Sequence, residues 1–310
     1  MIRPTGSWVA LITPFTQDQA VDIAGFCQLV DFHMAHGTNG LLLCGSTGEP
    51  SLLTTDEKRA IYDGVLPYAR GKIPIFVGTT CGSTAETVEL SRYAQQAGAD
   101  GLLLVVPPYS RPPQEAIYQH FRTVAEAVDL PIAIYNNPSR VGVNIDAETI
   151  IRLAEIPNIV ADKEAIPNVA QLAAIMGEVG DRLHLLCCDY PGYSLILPTL
   201  ALGGHGTANV TGNIIPEEMA AMSRPWHSIE DVQRSRELYF RYLPLLSMMY
   251  SLTSPVPVKT AVGLLGLPAG SVRRPLPDMA PAKVHQLQAL LDELGVTEKY
   301  RVERSHVSGS

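Results

Sequence analysis

The sequence predicts a closed (β/α)8 barrel followed by a C-terminal helical extension, and three observations carry that prediction. Eight short apolar runs recur before about residue 224. The segments between them repeat apolar residues at helical spacing, as at Phe26, Leu29, Val30 and His33, or at Val88, Leu90, Tyr93, Ala94 and Ala97. Two units also resemble each other: HGTNGLLLCG (36–45) and AGADGLLLVV (97–106) both set a helix-stopping glycine ahead of a buried strand. Strand alternating with helix gives a parallel sheet covered by helices, and eight such units close it into a barrel.

The first strand is expected in WVALITP (8–14). A helix then runs to His33 and His36 before Gly37; the two histidines read as cations in a last turn, where the helix dipole favours them, rather than as a chelating pair. GLLLC (40–44) is the second strand, and Thr54 with Glu57 makes a T-x-x-E capping box that opens the next helix. IPIFVG (73–78), GLLLVV (101–106), PIAIYN (131–136), IVADKE (159–164), LHLLCC (183–188) and GTANV (206–210) complete the eight. Leucine-rich helical stretches follow over 228–252, in PVKTAVGLLGL and in PAKVHQLQALLDELG. The expected organisation is a catalytic barrel over 1–224, a helical domain over 225–300 and a frayed polar tail over 301–310.

Charge and composition narrow the function. A net charge of −8 with scattered basic residues offers nothing to nucleic acid. MIRPTGSWVALITPFTQ carries Pro4 and Pro14 and only a short apolar stretch, so it fits neither a signal peptide nor a membrane span, and a cytoplasmic protein is expected. Five cysteines (27, 44, 81, 187 and 188) without framework spacing read as reduced thiols. Cys187 and Cys188 are adjacent, so a strand would point them to opposite faces and no shared metal is expected.

The candidate site grows out of IVADKE. The chain has only six lysines, and one of them, Lys163, stands at the end of an apolar strand. Active sites of such barrels sit at the C-terminal ends of the strands. A lysine in water has a pKa of about 10.4, and burial lowers lysine pKa values by up to about 3–5 units. A neutral amine attacks a ketone to form a Schiff base, whose positive nitrogen draws electrons from the neighbouring carbon. Asp162 and Glu164 should point away from Lys163 and read as packing or ion-pair partners of the helix ring. The same end of the barrel should hold Tyr135 in YNNPSR, able to pass protons, and GSTGE (45–49). That segment offers Gly45, Gly48, two hydroxyls and successive N–H groups suited to a small carboxylate. Lys259 lies at a helix start in the extension and reads as structural.

GSTGE, YNNPSR, the lysine of KEA and GGHGTANV, in this order over nearly the whole chain, resemble the dihydrodipicolinate synthase / N-acetylneuraminate lyase family of pyruvate-dependent class I aldolases. The resemblance implies Lys163 as the residue forming the imine with pyruvate, Tyr135 as proton relay, and Ser46 and Thr47 as the pair that holds the pyruvate carboxylate and links the relay. It implies Tyr109 reaching into a neighbour's site within a homotetramer of tight dimers, with neither metal nor organic cofactor. Arg140 matches the synthase pattern, in which that arginine receives the carboxylate of aspartate semialdehyde. Ser46 in place of a usual threonine, Cys188 in place of glycine and Ala208 in place of isoleucine depart from that pattern in the acceptor pocket. The reaction expected is condensation of pyruvate with aspartate semialdehyde to 4-hydroxy-tetrahydrodipicolinate, in lysine biosynthesis. The alternative is a paralogue cleaving or dehydrating a sugar-derived or hydroxylated 2-keto acid. A non-catalytic 2-keto acid sensor is argued against by the presence of both Lys163 and Tyr135. Where lysine-regulated relatives carry polar groups for the effector, this chain has Lys58, Gly82 and Pro108, and only Glu86 matches.

Overall fold

The computed structural model describes residues 1–302. Strands β1 (Gly6–Ala10), β2 (Gly40–Leu43), β3 (Ile75–Gly78), β4 (Gly101–Val105), β5 (Ile132–Asn136), β6 (Ile159–Glu164), β7 (His184–Cys187) and β8 (Gly206–Asn209) pair in parallel, each with the next. The β1–β8 pair closes the barrel. Almost every strand residue is buried, as expected for strands whose two faces meet the barrel interior and the helix ring.

Around the sheet lie α1 (Ile23–Ala35), α2 (Thr55–Ala69), α3 (Thr84–Ala97), α4 (Gln114–Ala125), the one-turn α5 (Pro138–Val141), α6 (Ala147–Leu153), α7 (Val169–Val179), α8 (Ile196–Ala201) and α9 (Pro216–Met222). The Thr54–Glu57 capping box is present at the start of α2. After α9 come α10 (Ile229–Met249), α11 (Val256–Leu264), α12 (Pro281–Glu293) and α13 (Val296–Tyr300), with a second capping box, Ser228–Asp231, opening α10.

The repeat has a packing cause. Gly37 and Gly98 adopt left-handed φ values of 71° and 92° as they end their helices, a conformation open to glycine at little cost. The next glycines, Gly40 and Gly101, begin β2 and β4. A Cβ at Gly40 would lie 2.6 Å from the Trp8 ring, and one at Gly101 would lie 2.4 Å from the Phe76 ring. Each strand therefore starts with a notch for an aromatic side chain of the preceding strand, and Trp8 and Phe76 meet edge to face at 4.9 Å.

Four expectations need correction. β1 spans 6–10 rather than 8–14: beyond Leu11 the chain leaves the sheet, and the Ile12 N–H turns to the Asn213 side chain at 3.3 Å. His33 is not a cation, because burial pushes its pKa down to about 3 and its Nδ1 meets the Thr38 hydroxyl at 2.9 Å; His36 contacts Glu217 instead. Asp162 and Glu164 are buried but pair with no cation, as described below. Of the expected frayed tail, Val302 donates its N–H to the Leu265 carbonyl at 2.8 Å, and positions 303–310 lie outside the described residues.

Candidate active site

Lys163 and Tyr135 are register neighbours on β6 and β5, so both side chains leave their strands on the same face. The Lys163 Nζ lies 4.1 Å from the centre of the Tyr135 ring, and both residues are buried. Among the described residues no carboxylate comes within ion-pair distance of this amine. It is an unclaimed lysine packed against a π face.

Tyr135 Oη accepts a hydrogen bond from Asn137 Nδ2 at 2.7 Å and lies 3.4 Å from Ser46 Oγ. Because the amide donates, the phenol keeps its own proton for Ser46 or for a ligand. The GSTGE segment forms a single 3₁₀ turn over Ser46–Gly48, closed by the Gly48 N–H to the Gly45 carbonyl at 2.8 Å and tied to β1's exit by Thr13 Oγ1 donating to Gly48 O at 2.7 Å. Thr47 is buried, and among the described residues its hydroxyl has no hydrogen-bond partner.

A cavity of about 620 Å³ opens beside this group and is lined by Gly45, Ser46, Tyr135, Asn137 and Arg140, among others. Arg140, on α5, is exposed and donates to the Ser254 carbonyl at 3.3 Å. The same cavity continues to Lys58, Gly82, Glu86 and Pro108. Lys163, Thr47, Gly48, Cys188 and Ala208 do not line it; they are buried beneath, within the barrel end. Cys188 directly follows β7 and donates its N–H to Glu164 O at 2.9 Å; burial pushes its thiol up to about 12, so it is a neutral thiol. Ala208 sits in β8 beside Trp8. Tyr109 stands apart from all of these, 99% exposed and in a left-handed conformation with φ 76°.

On the other face of β6, Asp162 and Glu164 bring two carboxyl groups together with no cation. Glu164 accepts from Asn136 Nδ2 at 3.1 and 3.2 Å and from Gln171 Nε2 of α7 at 3.2 Å. Among the described residues Asp162 has no hydrogen-bond donor, so its buried carboxyl faces the like charge of Glu164 uncompensated. Burial raises both pKa values, and the like charge of Glu164 raises Asp162 further.

Sequence reasoning did not single out Asn137, although the second asparagine of YNNPSR was in plain view. Nor did it single out Asp189. This buried carboxylate takes the Val210 and Thr211 N–H groups at 3.0 and 2.8 Å and the Thr211 and Tyr250 hydroxyls, tying the β7 and β8 exits to the end of α10. No local pattern marks a carboxylate whose four partners lie 21 or more residues away.

A barrel with an unclaimed strand-end lysine facing a tyrosine defines a class of site, that of enzymes able to form a Schiff base. The comparisons make the assignment specific. Residues 3–294 match the dihydrodipicolinate synthetase family, and the chain belongs to it. It is 40% identical to 4-hydroxy-tetrahydrodipicolinate synthase of Pelobacter propionicus over 94% of this chain and 99% of that one. The crystal structure of dihydrodipicolinate synthase from Aquifex aeolicus superposes with a TM-score of 0.89 at 37% identity, covering 97% of this chain and 100% of that one. That of the chloride-inhibited Acinetobacter baumannii synthase, complexed with pyruvate, gives 0.87 at 34% identity, covering 94% and 99%.

Proposed function

We propose that this chain condenses pyruvate with aspartate semialdehyde to give 4-hydroxy-tetrahydrodipicolinate. The observation that carries the proposal is the Lys163 amine, buried against Tyr135 and free of any carboxylate, in a barrel 40% identical to a synthase of that name. The neutral amine adds to the ketone carbon of pyruvate, and loss of water leaves a protonated imine. That cation accepts the electron pair released when a methyl proton departs, giving an enamine that attacks the aldehyde carbon. The amine of the semialdehyde then closes the ring onto the imine carbon and frees Lys163. Tyr135, with Ser46 at 3.4 Å, carries protons to and from these steps. Ser46, Thr47 and the flanking Gly45 and Gly48 receive the pyruvate carboxylate, for which the unpartnered Thr47 hydroxyl is suited. Arg140 at the cavity wall receives the carboxylate of the aldehyde, because a guanidinium matches a carboxylate in two parallel hydrogen bonds. Cys188 and Ala208 adjust the acceptor side.

We read the assembly as a homotetramer of tight dimers acting in the cytoplasm. An aromatic side chain left 99% exposed at Tyr109, on a left-handed backbone, supports a neighbour's site as its destination. Among the described residues no helix is long and apolar enough to cross a membrane, and all five cysteines are unpaired.

Borohydride reduction in the presence of pyruvate tests the proposal. One adduct per chain is expected on Lys163 and none in Lys163→Ala. A Lys163 peptide left unmodified would end the reading. A panel of aldehydes then identifies the second substrate, and turnover of a hydroxylated 2-keto acid in preference to aspartate semialdehyde would favour the paralogous activity.

A further inference from the structure

The turn that offers Ser46 and Thr47 is bracketed by two non-glycine residues in left-handed conformation, Cys44 at φ 52° and Glu49 at φ 56°. Such residues are unfavourable on their own and persist where the surroundings over-determine them. What determines Glu49 is distant in the chain. Its buried carboxylate accepts the Lys259 ammonium of α11 at 2.7 Å and the Arg273 backbone N–H at 2.8 Å. The Lys259 Nζ also lies 3.9 Å from the centre of the Phe15 ring, at the exit of β1. The Arg273 guanidinium covers the same ring at 4.3 Å, donates to the Leu52 carbonyl at 2.8 Å and the Gln19 carbonyl at 2.6 Å, and pairs with Glu57 of α2. The C-terminal region thus grips one side of the 44–52 segment, while within it Ser46 Oγ lies 3.4 Å from Tyr135 Oη.

A buried ion pair of this kind contributes little to stability compared with an apolar pair of the same size, because removing both charges from water offsets their attraction. What it supplies is direction, since a charged hydrogen bond holds the carboxylate, and with it the left-handed residue, in one orientation. We infer that Lys259 and Glu49 are a positioning pair for the reaction, fixing the Gly45–Gly48 turn so that Ser46 and Thr47 meet the 2-keto acid carboxylate and Ser46 stays within reach of Tyr135. The inference rests on the pyruvate reading above. Neither residue touches substrate.

The test measures the pyruvate concentration that half-saturates borohydride trapping, together with kcat, the KM of the second substrate and the melting temperature, in wild type, Lys259→Met, Glu49→Gln and Glu49→Leu/Lys259→Met. The paired apolar replacement keeps the volume without a stranded charge, so it serves if a single variant fails to fold. Half-saturating pyruvate is expected to rise at least tenfold in each folded variant, with the adduct still reaching one per chain at high pyruvate and the KM of the second substrate changing less than threefold. A purely structural pair would instead lower the number of trappable sites or damage both substrates alike, and that result overturns the inference. So does unchanged half-saturation in the folded double variant. If wild type itself traps no pyruvate on Lys163, the pyruvate reading fails and this inference falls with it, an outcome distinct from both.

Discussion

Two buried lysines, both packed on aromatic rings, differ in what the proposed function asks of a reactive amine and of a structural one. Lys163 lies 4.1 Å from the Tyr135 ring centre and Lys259 lies 3.9 Å from that of Phe15. Burial and the π face are common to both. The difference is the carboxylate: Glu49 claims Lys259 at 2.7 Å, whereas among the described residues Lys163 packs on the Tyr135 ring with no carboxylate partner. Burial still pushes Lys259 down to about 8, against the pull of Glu49, so a lowered pKa does not by itself identify the nucleophile. Partner and location are what support Lys163 in the proposed role. Lys259 stands on a helix outside the barrel; Lys163 stands at a strand end, where the fold gathers polar groups from several strands.

The largest effect that would sharpen this comparison is on proton transfer around Lys163. Tyr135→Phe keeps the ring under the amine and removes only the hydroxyl, so pyruvate trapping should persist while kcat falls by about 10² to 10⁴. Steady-state kinetics beside trapping stoichiometry checks this. Unchanged turnover would remove Tyr135 from the relay and leave Lys163 distinguished by location alone.

Next in size is the far wall of the cavity. Arg140→Ala should raise the KM of the second substrate by a factor corresponding to about 1.5–3 kcal/mol, the range for a hydrogen bond to a charged group, with half-saturating pyruvate little altered. Because Arg140 is exposed and, among the described residues, its side chain hydrogen-bonds only the Ser254 carbonyl, little fold damage should accompany the loss. Equal damage to both substrates would make it a structural arginine.

What could be read from the sequence follows the same division. The barrel was legible because strand burial on two faces writes continuous apolar runs, and Gly37 with Gly98 marks the helix ends between them. Lys163, Tyr135 and Ser46 could be put forward because strand ends are where a barrel keeps its chemistry, and the structure sets Tyr135 beside both Lys163 and Ser46. Glu49 was quoted as part of a turn, but its partner is 210 residues away, and spacing cannot announce a contact of that range. For the Asp162–Glu164 pair only the ion-pair half of the expectation failed, and for another reason. Alternation correctly turned both away from Lys163, yet it could not say that amides of Asn136 at the end of β5 and of Gln171 on α7 would stand in place of a cation.

That pair gives a smaller, pH-dependent effect on the face of β6 opposite Lys163. Both carboxyls have folded pKa values raised above the ordinary range. As pH rises past about 4, the unfolded chain releases both protons while the folded chain retains them, so their contribution to stability is present at low pH and is lost as pH rises through the raised folded values. Asp162→Asn supplies a donor toward Glu164 and removes one of the two ionisations. Urea unfolding at pH 5 and pH 9 should show the variant gaining at least about 1.4 kcal/mol on wild type at the higher pH relative to the lower, one pKa unit's worth. Parallel pH profiles would mean that burial does not raise the Asp162 pKa.

A third buried lysine, Lys58, extends the comparison to an amine with no claim on it at all and leads to the smallest effect, which is none. It lies on α2 with its side chain in the continuation of the cavity, and among the described residues it pairs with no carboxylate. Gly82, Glu86 and Pro108 line the same space. A free lysine ligand carries two ammonium groups needing acceptors and one carboxylate needing donors. Gly82 and Pro108 supply no side-chain hydrogen bond, and Glu86 already accepts one from the Ser83 hydroxyl at 2.9 Å. Lys58 repels the ligand's ammonium groups even where it attracts the carboxylate. Polar groups left unpaired in a half-buried cleft cost about 1–3 kcal/mol each, so two missing partners should weaken binding by at least about 2 kcal/mol, some thirtyfold. Titration of lysine into the condensation at subsaturating pyruvate should therefore show no inhibition at physiological concentrations. Half-inhibition below about 1 mM, a binding free energy stronger than about 4 kcal/mol, would mean that Lys58 receives the ligand carboxylate strongly enough to replace both missing contacts.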